Sequence, residues 1–441
     1  MIVPTRRLVL LALLPLPLSL FAVGGTRGLV LLAVYDAALL GLVAWDLARS
    51  PSAARVQVER WLPPRFARGA SVRLGWTVAN RAPFDLSIEL LDDLPASFRR
   101  VGADVTQARV PARSSVELGY DVVPERRGDA QLGDAHLRVR SRLGLVRRQA
   151  RLPRNDRVKV YPNVRGLTRH ELAARRHRLA ELGMAPVRRV GAGTSFDSLR
   201  EYVPGDDRAV IAWKATARRD RLITRTYTTE RSQNVLVVLD CGRLMTTRVD
   251  DLTRLDHAIR ATLLLSYVTM KQGDYIGMLA FSDAVERYLP PTRGAASVRR
   301  MNEALYALEP RMREPSYERA CRFLAPKHRK RSLIVILTDV IDDDASSALL
   351  AHTARFARHH VPLCVTLRNP ELEAIASGVA QSADEVDAVY AQAVAVEQLA
   401  RRRDALHRMR RYGVDVLDVD PRQLGPQLIS RYLTLKQRAL R

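Results

Sequence analysis

The second half of the chain alternates between short apolar runs and longer stretches with helical spacing, and this constrains the fold more than any other feature. Four strongly apolar runs and a weaker fifth occupy residues 235–239, 275–281, 333–337, 361–367 and 414–419. Helical spacing covers residues 255–271, 297–308, 345–359, 385–411 and 423–440. Strands that are apolar along their whole length are buried on both faces, and helices connect them in parallel. The pattern predicts an α/β fold with a doubly wound, mainly parallel sheet, with an antiparallel edge hairpin at residues 284–289.

A densely charged segment precedes these strands and does not have the composition of an ordinary loop. It runs FDSLREYVPGDDR from Phe196 to Arg208 and continues as IAWKATAR from residue 211. Pro204 and Gly205 are turn residues, and the two aspartates that follow them can cap a helix. The segment is therefore either a rigid exposed surface that binds a partner or an internal clamp of ion pairs.

The clamp interpretation pairs basic and acidic side chains within the segment. The basic residues are Arg200, Lys214 and Arg218, and the acidic residues are Asp197, Glu201, Asp206 and Asp207. Because these charges lie within a few turns of one another, the pattern favours the clamp. If the segment is instead exposed, the candidate partner-binding residues are Arg200, Trp213 and Lys214, since binding energy concentrates in a few large or charged side chains.

The same segment closely resembles the signature of a large bacterial family, domain of unknown function 58, in which a von Willebrand A-like domain follows the signature. The resemblance covers most of residues 160–441 and implies that the predicted sheet has the von Willebrand A fold. Members of this family are commonly encoded beside MoxR-type AAA+ ATPases. The resemblance therefore implies a scaffold or adaptor that works with such an ATPase in the assembly or maturation of protein complexes.

Polar residues follow the predicted strands at their carboxyl ends, where parallel sheets bind ligands. The resemblance implies a metal-ion-dependent adhesion site there, made by an Asp-x-Ser-x-Ser segment, a threonine and a later aspartate. Asp240 and Asp339 match the aspartates and Thr292 is the candidate threonine, but Gly242 and Leu244 stand where serines are expected. Mg²⁺ prefers near-octahedral oxygen ligation, so the loss of two hydroxyls leaves too few protein ligands. We therefore expect no cofactor, with a weak, degenerate Mg²⁺ site as the alternative.

Two apolar segments near the N-terminus predict a membrane anchor. Residues 8–23 contain no charge and residues 29–48 are nearly as apolar, and about 20 helical residues span the roughly 30 Å core of a bilayer. Arginines flank the pair of segments, at positions 6, 7, 49, 55, 60, 65 and 68. Because basic residues favour the cytoplasmic side, residues 1–52 are expected to form a two-helix transmembrane hairpin in the inner membrane, with the soluble body in the cytoplasm. A cleaved signal peptide is the alternative for the first segment.

Two further regions lie between the anchor and the sheet. Residues 53–160 alternate apolar and polar side chains, which is typical of a small antiparallel β-sandwich. Residues 161–231 contain the signature and a predicted basic helix at residues 167–182. The von Willebrand A-like domain is expected at residues 232–441.

Composition and motifs give no indication of an enzyme. The 441 residues include three cysteines without paired spacing, so neither a disulfide framework nor a zinc site is indicated. The sequence has no phosphate-binding loop, no nucleophile elbow and no paired-histidine metal helix. The net charge of +24 is consistent with binding nucleic acid, but attraction to anionic lipid explains the sign equally well. We predict a non-enzymatic scaffold; the alternatives are a nucleic-acid-binding protein and a metal-dependent hydrolase that uses the strand-end carboxylates.

The arginine distribution generates a prediction about topology. Reporter fusions placed after Ala53 and after Arg441 should both report a cytoplasmic location, and the protein should resist carbonate extraction from membranes. A C-terminus located in the periplasm would contradict the predicted hairpin.

Overall fold

The computed structural model of the protein describes residues 1–15, 26–50, 56–103, 105–163, 190–204, 208–228, 232–339, 343–378 and 385–440. The chain divides into two compact units, Met1–Asn163 and Val164–Arg441. The fold is mixed α/β, with several sheets in each unit. The predicted helix at residues 167–182 lies outside the described residues.

The first unit begins with a short strand and two helices, β1 (Ile2–Pro4), α1 (Arg6–Leu13) and α2 (Thr26–Arg49). Among the described residues, one helical stretch, Gly28–Arg49, is long and apolar enough to cross a membrane. It contains the second predicted span. Helix α1 covers the first half of the other predicted span, most of whose remainder lies outside the described residues.

Three sheets surround the apolar core of the first unit. The remaining strands are β2 (Val56–Trp61), β3 (Phe66–Ala67), β4 (Val72–Asn80), β5 (Leu86–Asp92), β6 (Phe98–Val101), β7 (Thr106–Val110), β8 (Ser115–Pro124), β9 (Gly128–Leu132), β10 (Ala135–Arg140), β11 (Val146–Leu152) and β12 (Asp156–Tyr161). Their orders are β1-β11-β10-β5-β7, β2-β4-β8-β6 and β3-β12-β9. Leu74, Trp76 and Val78 of β4 are fully buried. They are every second residue, as expected for a strand that turns one face toward the core.

The turn between β10 and β11 is held by residues from both ends of the N-terminal helical segment. Before α1, the Thr5 hydroxyl donates to the carbonyl oxygens of Gly144 and Leu145, at 2.6 and 2.8 Å. Near the end of α2, the buried Asp46 carboxylate accepts hydrogen bonds from the N–H groups of Leu143 and Leu145, at 2.9 and 3.4 Å. Nothing in the sequence pattern singles out Asp46, because the N–H groups that donate to it lie almost 100 residues away along the chain.

The first described segment of the second unit contains part of the signature. Strands β13 (Val190–Glu201) and β14 (Ile223–Thr228) pair antiparallel as a two-stranded sheet. A 3₁₀ turn at Arg208–Val210 and the short helix α3 (Trp213–Arg219) lie between them in the sequence. Most of the described signature residues therefore belong to a strand or a helical turn, and not to a simple loop.

A six-stranded sheet forms the centre of the second unit, in the order β19-β18-β15-β20-β21-β22. Its strands are β15 (Asn234–Asp240), β18 (Tyr275–Phe281), β19 (Val285–Thr292), β20 (Leu333–Thr338), β21 (Val361–Leu367) and β22 (Asp415–Val419); β16 (Arg248–Val249) and β17 (Leu252–Thr253) form a separate small ribbon. Neighbouring strands are parallel except β19, which pairs antiparallel with β18. The five predicted strands are present within one residue of their predicted bounds, and the edge strand lies where the hairpin was predicted.

Helices cover both faces of this sheet. Their bounds are α4 (Arg254–Lys271), α5 (Ala295–Leu305), α6 (Tyr317–Lys327), α7 (Asp343–Ala357), α8 (Pro370–Ala376), α9 (Glu385–Arg411) and α10 (Leu424–Leu440). Val235, Val237 and Leu239 of β15 belong to the core shared with α4, α5 and α10. Leu236 and Val238 belong to the core shared with α6, α7 and α9. The sequence pattern did not predict α6, which contains Pro326 near its end, or the short α8.

Candidate functional site

Strand β15 ends in Asp240, whose buried carboxylate is hydrogen-bonded on both oxygens. One oxygen accepts the N–H of Gly242 at 2.7 Å. The other accepts the hydroxyl of Thr338 at 2.7 Å and lies 3.4 Å from the hydroxyl of Tyr317. Burial raises the pKa of Asp240 to about 6, although these hydrogen bonds act to lower it. Asp240 is fully buried, so all of its contacts are with other residues of the protein.

Strand β20 is followed by Asp339, which is buried between arginines from two different helices. Arg254 at the start of α4 donates to one carboxylate oxygen, and Arg402 within α9 donates to the other at 2.5 Å. Arg402 also donates to Asp418 and to the carbonyl oxygen of Leu367, at 2.9 Å each. Burial acts to lower the pKa of Arg402, but the neighbouring carboxylates Asp339 and Asp418 raise it above its ordinary value. The guanidinium group is thus a permanent cation at this site.

These contacts do not fit the metal ion that the family resemblance implies. Two guanidinium groups already contact Asp339, and they would repel a divalent cation. Position 242 also has no room for a serine, because a Cβ built on Gly242 lies 2.9 Å from Cδ of Pro315 and 3.0 Å from the carbonyl oxygen of Arg313. Among the residues that the structure describes, no group of three or more His, Cys, Asp or Glu side chains is placed to hold a metal.

Thr292 lies at the opposite end of the sheet from Asp240. It pairs with Ile276 near the amino end of β18, whereas Asp240 pairs with Phe281 at the carboxyl end of the same strand. At about 3.3 Å per residue, this separates the two ends by roughly 16 Å. The structure therefore corrects the predicted grouping of Thr292 with the two aspartates: the threonine that contacts Asp240 is Thr338.

Sequence reasoning missed Arg254 and Arg402, the two cations of this site. Arg402 is hidden in a run of three arginines whose other members are exposed. A usable signal was present, because Arg402 continues the helical stripe formed by Ala395, Leu406 and Met409, all of which are buried. A charged residue on the apolar stripe of a helix indicates a buried ion pair.

The signature helix α3 presents its large and charged side chains to solvent. Trp213 is 66% exposed, and Lys214 is exposed beside it. The preceding residues Ile211 and Ala212 are buried, and the Ala212 N–H donates to the carbonyl oxygen of Ile223 on β14 at 2.8 Å. The two residues before the helix thus attach it to β14, while its first residues, Trp213 and Lys214, are exposed.

The predicted clamp lies only partly within the described residues. Glu201 accepts a hydrogen bond from Arg221 at 3.0 Å, and the two side chains are 71% and 74% exposed. Arg221 was not among the predicted partners, and ion pairs this exposed contribute little stability. The side chains of the other predicted acidic partners, at positions 197, 206 and 207, lie outside the part that the structure describes.

Three further large apolar side chains in or just after the signature are exposed, as Trp213 is. Leu199, Val203 and Leu222 are 43%, 54% and 47% exposed. The N–H of Tyr202 donates to the carbonyl oxygen of Leu222 at 2.9 Å, so Val203 and Leu222 are close neighbours. Arg200 is also exposed on β13. We name this set, Leu199, Arg200, Val203, Trp213, Lys214 and Leu222, the signature surface.

One protein family and one curated protein match part of this chain. Residues 198–411 match the family described as "Protein of unknown function DUF58". The uncharacterized protein YeaD of Bacillus subtilis (strain 168) is 29% identical over 178 residues, which cover 39% of this chain and 44% of that protein. The chain thus aligns with less than half the length of that relative.

Similarity to solved structures is weak. The ASH/PapD-like domain of human CEP192 matches with a TM-score of 0.21 and 12% identity, over 26% of this chain and 89% of that one. A Salmonella alpha-2-macroglobulin mutant matches with a TM-score of 0.20 and 14% identity, over 25% of this chain and 7% of that one. Neither similarity carries an argument about fold or function.

The two arginines at Asp339 generate a prediction about metal. Millimolar Mg²⁺ should raise the melting temperature of the full chain in detergent very little, since a ligand at its own dissociation constant adds only about 0.4 kcal/mol of stability. Thermal melting with Mg²⁺ and with a chelator measures this. A large Mg²⁺-dependent shift that is lost in Asp240→Ala but kept in the exposed control Asp250→Ala would contradict the prediction.

The raised pKa of Asp240 generates a prediction about pH. A carboxyl group whose pKa is raised from 3.8 to about 6 in the folded state favours folding when protonated, so this contribution is lost as pH rises from about 4 to about 6. The amount is on the order of 3 kcal/mol. Asp240→Asn stays neutral and keeps a similar shape, so its stability relative to the wild type should increase over this interval.

An exposed aspartate supplies the matched control for that measurement. A hydrogen bond from Arg422 lowers the pKa of Asp250, so Asp250→Asn should lose stability relative to the wild type as pH rises through the acid range. Denaturant unfolding of the three proteins from about pH 2.5 to about pH 7 compares the two trends, because the Asp250 change falls at and below about pH 4 and the Asp240 change falls above it. Equal pH profiles for Asp240→Asn and the wild type would show that Asp240 has an ordinary pKa.

Proposed function

The chain is a member of the DUF58 family, and on that premise we propose that it is a membrane-anchored, non-enzymatic docking platform in the bacterial inner membrane. Its soluble body faces the cytoplasm, and its partner is a MoxR-type AAA+ ATPase. The observation that carries the proposal is the exposed signature surface around Trp213. The remaining support comes from the sheet, from the closed strand-end site and from the anchor.

The six-stranded sheet supports a von Willebrand A-like, doubly wound arrangement for the second unit. Five parallel strands alternate with helices on both faces, and a single antiparallel strand, β19, forms one edge. Domains of this architecture bind partners at the carboxyl edge of the sheet. In this chain the internal contacts of Asp240 and Asp339 occupy the two strand-end aspartates, which favours docking at another surface.

The closed edge also argues against the hydrolase alternative. Asp240 is fully buried and Asp339 is 1% exposed, and the oxygens of both already accept hydrogen bonds from the protein. A general base or nucleophile has to reach its substrate within hydrogen-bond distance. These carboxylates instead act as internal connections between elements.

The signature surface has the composition of a docking site. It combines an exposed tryptophan, three exposed aliphatic side chains and the basic residues Arg200 and Lys214. Aromatic and arginine side chains dominate the binding energy of protein interfaces, whereas isolated exposed apolar residues need no explanation. In this chain four exposed apolar residues lie close together in the sequence: Leu199, Val203, Trp213 and Leu222. The MoxR-type ATPase is proposed from the family resemblance, and the exposed surface supplies a place for it.

The contacts of the N-terminal helices support a transmembrane hairpin. Thr5 before α1 and Asp46 near the end of α2 bind the same turn of the β domain, so the two ends of the apolar segment meet on one side. The Tyr35 hydroxyl of α2 also donates to the carbonyl oxygen of Leu11 in α1, at 2.7 Å. A hairpin returns the chain to the side from which it entered, and the flanking arginines favour the cytoplasm as that side.

Substitution of Trp213 tests the docking function. The full chain, solubilised and immobilised, should capture the MoxR-type ATPase of the same bacterium, and Trp213→Ala should weaken this capture about tenfold or more, as loss of a central aromatic anchor does. The matched control is Tyr390→Ala, which removes an aromatic side chain that is 71% exposed on α9.

Two outcomes would contradict the docking function. Circular dichroism has to show that Trp213→Ala is folded, and capture by this folded variant at wild-type level would remove the signature surface from the interface. If the wild-type chain captures no ATPase and instead binds DNA tightly at about 200 mM salt, the nucleic-acid alternative replaces the proposal.

A further inference from the structure

Three connections bring basic residues to the amino edge of the central sheet. Helices α6, α7 and α9 end at this edge, and strands β20, β21 and β22 begin there. Leu333 pairs with Val361, and Leu363 pairs with Asp415, so the three strands start nearly level. Adjacent strands are about 4.8 Å apart, which places the three connections side by side.

The exposed charged side chains of these connections are all basic. Residues 319–333, 349–367 and 405–414 contain no aspartate or glutamate. The basic residues next to the strands are exposed: Arg329, Lys330, Arg331, Arg358, Arg410 and Arg411. We name these six residues the basic edge.

Internal contacts fix the turn that carries half of the basic edge. The Ser332 hydroxyl donates to the carbonyl oxygen of Lys330 at 2.8 Å and lies 2.6 Å from Nε2 of His328. The Val361 N–H donates to the carbonyl oxygen of Ser332 at 2.9 Å. Because His328 is buried and stacks on His360, the turn is anchored from inside while its basic side chains point to solvent.

Helix dipoles account for only part of this charge. The C-terminus of a helix carries about half a negative charge, which favours a nearby cation in the last turn. Three helix ends therefore explain one or two cations, fewer than the six that are exposed here. The remaining positive charge exceeds what the helix ends account for.

We propose that the basic edge binds the anionic phospholipid headgroups of the membrane in which the chain is anchored. The inference rests on the proposed membrane anchor. The chain enters the sheet at this same edge, because Val235 of β15 pairs with Leu333 of β20. The proposed anchor keeps the chain as a whole at a high effective concentration near lipid, whereas a nucleic acid has to be bound from solution. Each basic residue near an anionic surface strengthens binding about fivefold.

An aromatic side chain fits the same ligand. Tyr412 follows Arg411 on the basic edge and is 61% exposed. Tyrosine is enriched at the headgroup level of membranes, where its ring contacts the acyl boundary and its hydroxyl remains hydrated. Tyr412 therefore extends the basic edge with a group suited to a lipid surface.

Amine labelling of the full chain in vesicles tests the inference. The chain is reconstituted in neutral phosphatidylcholine vesicles and in vesicles with about 30% phosphatidylglycerol, and the labelling rate of Lys330 is followed by mass spectrometry. Lys330 should react about threefold or more slowly in the anionic vesicles, and high salt should remove this protection. Equal rates in the two kinds of vesicle would overturn the inference.

Paired charge reversals make the test specific. Arg329→Glu/Arg331→Glu should abolish the lipid-dependent protection of Lys330. Arg299→Glu/Arg300→Glu changes the net charge equally at two exposed positions of α5 and should retain the protection. Loss of protection in both variants would show a response to net charge alone and would overturn the inference.

Two further measurements distinguish lipid binding by the basic edge from nucleic-acid binding and from failure of the proposed anchor. Duplex DNA added to the neutral vesicles should leave Lys330 reactive at about 200 mM salt; protection by DNA in the absence of protection by lipid would assign the edge to nucleic acid. Carbonate extraction from the neutral vesicles tests the anchor separately. Extraction of the chain would contradict the proposed anchor, while protection of Lys330 on anionic vesicles would still support the basic edge.

Discussion

The ion pairs of Asp339 are the interaction on which the second unit depends most. They join the end of β20 to α4 through Arg254 and to α9 through Arg402, and Arg402 continues to Asp418 on β22. Removal of one member of a buried ion pair typically costs about 3–5 kcal/mol, because the remaining charge is left without a partner. An apolar replacement of the whole cluster would cost far less, so the cluster fixes geometry more than it adds stability.

Two other buried carboxylates connect elements in the same manner. Asp274, ahead of β18, accepts hydrogen bonds from Tyr432 and Lys436 and so holds the C-terminal helix α10 to the sheet. In the first unit, Asp92 contacts Arg60 and Tyr120, which links β5 to β2 and β8. Burial raises the pKa of Asp92 despite these partners. In each case, side chains distant in sequence satisfy the buried charge, and a polar group that is satisfied internally is not available to a ligand.

The strands were predictable from sequence and the site was not, for physical reasons that particular residues show. A run such as that of β20 is apolar on both faces, and this local property identifies a buried strand without knowledge of its neighbours. Arg402 depends on Asp339 from another element, a relation that no local pattern contains. The position of Thr292 was deducible in principle, because a strand that returns antiparallel ends at the amino edge. Helix α6 was concealed by Pro315 and Pro326, which normally mark the limits of a helix.

The strand-end carboxylates and Trp213 differ in how much of each residue the fold buries. Asp240 and Asp339 are buried and accept hydrogen bonds from the protein. Trp213, by contrast, remains 66% exposed. A tryptophan buries about 200 Å² when fully enclosed, so at roughly 25 cal/mol per Å² its exposed part represents about 3 kcal/mol that folding does not use. On the proposed docking function, contact of Trp213 with a partner would release that free energy, whereas the buried Asp240 and Asp339 have little surface left to offer.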